Sequence, residues 1–254
     1  MDAEILVVLA AAFAVIAFVY GSVGLGGGSA YVATMAVIGM DHTVAPMIAL
    51  ALNLVVAGGG LLHFSHGGHF RGRLILPLVL TSVPAAFLGA QILIDRTAFQ
   101  LLLGFALLVA GLRMVAASWI SRHGGEGRRE APVWLLLVLG VALGALAGVT
   151  GIGGGIYLAP VLILGGLATP KQTAAACSAF IVVNSLAGLT GRAVIGVTFS
   201  WALLLPLGLT VLICGQLGAR TGARRLRPAT VQAIFGAIVL IVSLRLLAAS
   251  YGSF

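Results

Sequence analysis

Charge is scarce in this chain of 254 residues: Asp, Glu, Lys and Arg together make up 8% of it. That leaves too little polar surface to solvate a soluble helical core, so a soluble protein is excluded. Acids are scarcer still. Asp2, Glu4, Asp41, Asp95, Glu126 and Glu130 all fall at the ends of apolar runs or between them. No carboxylate is left at membrane depth to relay protons or bind a coupling cation. No histidine or carboxylate accompanies the serines inside the apolar runs either, so an intramembrane enzyme is not expected. Cysteine is limited to Cys177 and Cys214, both inside apolar runs and without ligand spacing. A disulfide framework and a zinc site are therefore not expected, and nothing calls for a metal or cofactor.

What is present is apolar. The chain is 61% hydrophobic with a mean hydropathy of +1.18, and apolar runs of spanning length recur along it. This reads as an all-α polytopic membrane protein whose first partner is the lipid bilayer. The acids ahead of the first run are unlike the basic start of a cleaved signal peptide. The net charge of +8 is dispersed along membrane edges, which argues for topology and attraction of anions rather than nucleic-acid binding.

Two glycine clusters, GLGGGS at Gly24–Ser29 and GIGGGI at Gly151–Ile156, interrupt such runs. Glycine inside a helix costs about 1 kcal/mol relative to alanine, so a triple glycine predicts a break. The clusters also mark a tandem duplication. Asn53 matches Asn184, Gly60 matches Gly191, Pro77-Leu78 matches Pro206-Leu207, and Leu112-Arg113 matches Leu244-Arg245. The halves are 1–118 and 133–254, joined by a charged, glycine-containing linker at 119–132 that is expected in the cytoplasm.

Each half reads as four apolar blocks: 5–38, 42–63, 74–94 and 98–118, then 133–166, 170–192, 199–219 and 230–249. The first block of each, if one continuous helix, overshoots the hydrocarbon core. It is either a strongly tilted helix or a hairpin folded at the glycines. Positive charges favour the hairpin. With hairpins, eleven of the fourteen Lys and Arg residues fall on one side, leaving Arg96, Arg192 and Arg245 on the other, as the positive-inside rule asks. Each half then becomes a Gly-broken helical hairpin plus three transmembrane helices. The two repeats are inverted, and both termini are expected in the periplasm.

Paired breaks at corresponding places in two halves point to a transporter binding site near the midplane. A helix starting inside the membrane has free N–H groups and about half a positive charge at its end, and two such ends can hold an anion. The candidate substrate-binding residues are Gly26, Gly27, Gly28, Ser29, Asn53, Gly153, Gly154, Gly155, Asn184 and Arg192. Other readings stand beside this one. The glycines can serve helix packing, and the asparagines can brace the hairpins instead of touching substrate. Arg192 can be an interfacial anchor instead of steering anions at one mouth. The cluster His63, His66 and His69, interleaved with glycine and followed by Arg71 and Arg73, reads as an exposed loop.

On GLGGGSAYVA and GIGGGIYLAP, the Asn53 and Asn184 segments, and its length, the chain resembles the TauE/SafE family of sulfite exporters. The resemblance implies a transporter of a small sulfur-containing or organic anion in the bacterial inner membrane, working outward. An anion channel of the same fold is the alternative.

Overall fold

The computed structural model describes residues 3–224 except 67, 94, 121–129 and 199–200, with scattered helical positions between 237 and 248. The described chain is helical: α1 (Ala3–Ser22), α2 (Gly28–Val37), α3 (Val44–His66), α4 (Gly72–Ala90), α5 (Arg96–Ile120), α6 (Val133–Thr150), α7 (Gly155–Leu164), α8 (Pro170–Val194) and α9 (Trp201–Arg224). No strand occurs among the described residues. Helix is the form in which an apolar segment satisfies its own backbone in lipid. Six of these helices are long and apolar enough to span a membrane. Most of the expected linker and nearly all of the block 230–249 lie outside the described residues.

Both long blocks split at their glycines. In the first, α2 turns back along α1. The Phe13 and Tyr31 rings lie 4.6 Å apart, and Thr34 and Ile38 line one cleft with Glu4, Ile5 and Val8. The end of α2 therefore lies beside the start of α1. In the second block, α6 runs parallel to α4: Gly140 abuts Leu78, Gly144 abuts Ser82 and Gly148 abuts Ala86. The chain leaving α7 is bound at Leu167, whose carbonyl accepts from Arg71 Nη1 at 3.1 Å. Arg71 precedes α4, so α7 returns to the level at which α6 began.

The halves are interlaced rather than side by side. α6 packs on α4, and its counterpart α1 packs on α9, the counterpart of α4. Glycine permits both approaches. A Cβ on Gly140, Gly144 or Gly148 would enter the α4 backbone, and one on Gly21 would stand 2.6 Å from the Gly215 carbonyl oxygen. Stripes of small residues at a spacing of four let membrane helices touch backbone to backbone. The equivalent helices α3 and α8 pack on each other antiparallel, with Leu50 beside Gly188 and Gly60 beside Ser178.

Candidate functional site

Helices α2 and α7 begin in the interior without side-chain caps. Their N-cap residues are glycines in the left-handed region, Gly27 at φ 89° and Gly154 at φ 78°. The amides of Ala30 and Tyr31 bond back to the Gly27 carbonyl, and those of Tyr157 and Leu158 to the Gly154 carbonyl. The N–H groups of Gly28, Ser29, Gly155 and Ile156 come before the first possible intrahelical acceptor. Every residue from Gly26 to Ser29 and from Gly151 to Ile156 is buried. By contrast α8, which starts outside its span, has a full capping box. Thr169 Oγ1 accepts from the Gln172 amide, and Gln172 Oε1 accepts from the Thr169 amide. The chain caps a helix conventionally there and leaves two internal N-termini open. Each carries roughly half a positive charge, fixed in place by the backbone.

The two glycine turns meet. Asn53 on α3, fully buried, donates from Nδ2 to the Ile152 carbonyl at 3.1 Å. A Cβ on Gly28 would stand 2.8 Å from that same carbonyl oxygen, and one on Gly26 would stand 2.5 Å from Asn53 Oδ1. Ile181 lies between the turns, with Cγ2 about 3 Å from a Cβ built on either Gly26 or Gly153. Such contacts explain why only glycine fits. The bracing is crosswise: Asn53 of the first half holds the second turn, and Ser178 of the second half donates to the Gly24 carbonyl at 2.8 Å.

Of the residues expected from sequence, Gly26, Gly28, Asn53, Gly153 and Gly155 gather around Ile181 and Ile152, with Gly27, Ser29 and Gly154 at the helix starts. Asn184 is buried on α8, but its Nδ2 donates to Phe180, one turn back on its own helix, at 2.8 Å. Arg192 is 2% exposed. It donates to the carbonyls of Gly148 (3.3 Å) and Val149 (2.9 Å) at the end of α6, and to that of Thr43 (3.3 Å) just before α3. A helix C-terminus carries partial negative charge and unpaired carbonyls, so a guanidinium suits it. His63 and His66 stand at the exposed end of α3.

Sequence reasoning missed Tyr20, Tyr31, Ile181 and Ser185. Tyr20 is hydrogen-bonded to Ser29 at 3.2 Å. The Tyr31 hydroxyl and Ser185 Oγ are buried without a partner among the described residues. The hydroxyl of Tyr31 at i+4 from the N-cap glycine was a readable signal, because helical side chains lean toward the N-terminus. Ser185 offered none.

A family model described as the sulfite exporter TauE/SafE matches residues 8–246. The chain is similar to the probable membrane transporter protein y4hK of Sinorhizobium fredii (strain NBRC 101917 / NGR234). The two are 33% identical over 252 residues, covering 97% of this chain and all of that protein. No solved structure matches.

Proposed function

The chain belongs to the TauE/SafE family of membrane transporters, and we propose that it carries a small anion, such as sulfite or a sulfonate, outward across the bacterial inner membrane. The observation that carries this reading is the pair of buried, uncapped helix N-termini at two glycine turns that meet around Asn53 and Ile181. A buried helix end without acceptors is costly unless a ligand completes it. An anion does so without any ionised side chain in the membrane. Gly26–Ser29 and Gly153–Gly155 supply the main-chain donors in this reading, with Asn53 setting the distance between the turns. Asn184 and Arg192 support the same machinery from α8. Chemistry on the substrate has no part in it.

In the same reading the repeats 1–118 and 133–254 are inverted in the membrane, with the linker 119–132 cytoplasmic and both termini periplasmic. Three contacts support this. α3 and α8 are equivalent helices yet run antiparallel. Arg71 reaches Leu167 and Arg192 reaches Thr43, pairs that share a side only if the second glycine block folds back.

Flux in proteoliposomes tests the proposal. Wild-type protein should move sulfite or methanesulfonate down an imposed gradient. Gly154→Leu should insert but carry none, because a Cβ there already stands 2.6 Å from the Phe180 ring and the left-handed φ disfavours a side chain. Equal flux through both proteins would overturn it. Flux that saturates with concentration favours a carrier over a channel.

A further inference from the structure

The two turns share a glycine pattern but not their surroundings. With the offset of the glycine match, 151 − 24 = 127, Tyr20, Ser29 and Tyr31 of the first turn align with Ala147, Ile156 and Leu158 of the second. Three hydroxyls are replaced by three apolar groups, while Val23 and Ala30 of the first turn give way to Thr150 and Tyr157 in the second. The aromatic ring covering each N-cap differs in the same sense. The Tyr31 phenol lies over Gly27, with its hydroxyl 3.1 Å from a Cβ built there. The Phe180 ring lies over Gly154. Ser185 does bring a hydroxyl beside Gly153, but not over the N-cap of α7.

Tyr31 is fully buried, and its hydroxyl has no partner among the described residues. A phenol so placed forfeits a hydrogen bond unless something else accepts from it. It lies against Gly27, whose following amides come before the first intrahelical acceptor. Beside it, the Tyr20 hydroxyl and Ser29 Oγ are joined at 3.2 Å, at the first turn of α2. Two phenols and a serine hydroxyl therefore stand at the start of α2.

We propose that the anion is held at the first turn, with the Tyr31 hydroxyl as its side-chain ligand, and that Ile181, Phe180 and Ile156 face the uncharged part of the substrate. This rests on the anion-carrying function proposed above and adds where the charge sits and what recognises it. The ligand class that fits is an oxyanion with its charge at one end, its oxygens accepting from Tyr31, Ser29 and the amides of α2. Ile181, Phe180 and Ile156 meet the opposite end.

The test compares wild type with Tyr31→Phe by thermal shift and calorimetry in detergent, using sulfite, methanesulfonate and acetate as probes. Loss of one charge-assisted hydrogen bond should weaken anion binding tenfold or more. In the absence of anion, the variant should melt at the wild-type temperature or above it, since the removed hydroxyl has no partner among the described residues to lose. Tyr20→Phe gives the contrast, because it loses the bond to Ser29 and should lower the melting temperature. Wild-type affinity in Tyr31→Phe would overturn the subsite while leaving the transport proposal standing. A lowered melting temperature in Tyr31→Phe with unchanged affinity would mark the phenol as structural, with the same result. A wild-type protein that responds to none of the probes would remove the anion site altogether, and this assignment with it.

Discussion

Asn53 and Asn184 occupy equivalent positions and are almost equally buried, at 0% and 1% exposure, yet they should respond differently to truncation. In Asn53→Ala the Ile152 carbonyl loses the donor at 3.1 Å that ties it to the other repeat. Stranding a buried carbonyl costs about 1–3 kcal/mol. Hydrogen bonds between membrane helices average only about 0.6 kcal/mol and reach about 1.7, so about 1–2 kcal/mol is the working figure. In Asn184→Ala the lost bond goes to Phe180 four residues back, whose carbonyl the helix ladder already serves. That loss should stay below about 0.5 kcal/mol. The cavity left by deleting an amide side chain is common to both variants and cancels in the comparison. For a protein of this size, 1 kcal/mol corresponds to about 2–4 °C in Tm, so Asn53→Ala should melt a few degrees below Asn184→Ala. Thermal unfolding of purified protein without substrate measures the gap. Equal melting temperatures, or a larger drop for Asn184→Ala, would refute the crosswise brace.

Arg192→Gln should impair function equally at low and high ionic strength, because the guanidinium is buried on three carbonyls rather than exposed at a mouth. A defect that fades as salt rises would instead make it a steering charge. Cysteines placed at Asp41 and Gly196 should label from outside intact cells, and cysteines at His66 and Lys171 should not. Labelling at Lys171 together with Asp41, with Gly196 silent, would contradict the fold-back of the second glycine block. As pH falls below the ordinary carboxylate range, the α3 end of the protein should lose stability. The Thr43 hydroxyl and amide both donate to Asp41 and hold its pKa down, so the contribution is present above the unfolded pKa and vanishes as the carboxylate protonates. Asp41→Asn should flatten that part of the stability profile.

Much of the fold was legible because its signals are local. A triple glycine in an apolar run cannot continue a helix cheaply, and α1 and α6 do end at Ser22 and Thr150, with α2 and α7 resuming at Gly28 and Gly155. The observed spans α3, α4, α8 and α9 begin and end within a few residues of the apolar blocks. Partners were not legible. Apolar periodicity says that α6 is lipid-soluble, not that Gly140, Gly144 and Gly148 will seat it on α4 of the other repeat. That small-residue stripe stood in the sequence at a spacing of four and went unread among the many glycines. Arg192 lies in the last turn of α8. Its burial depends on the end of α6 arriving beside it from 43 residues earlier, which no local pattern encodes. The site was read as glycines and asparagines because two equivalent halves draw attention to what they share. Tyr31 escaped because it belongs to what they do not share.

The interlaced packing bears on how the protein is made. α1 lies against α9, and Ser22 and Trp201 are 201 − 22 = 179 residues apart. At about 5–20 residues per second of synthesis, the first helix sits in the bilayer for roughly 10–40 s before its partner is translated. During that interval Gly21 and its neighbours face lipid or a membrane chaperone, and the broken hairpin behind them has no Ser178 to hold the Gly24 carbonyl. The first half is therefore an inserted but unassembled intermediate until α8 and α9 emerge. Until then the face of α1 around Gly21 stays without the helix it packs on.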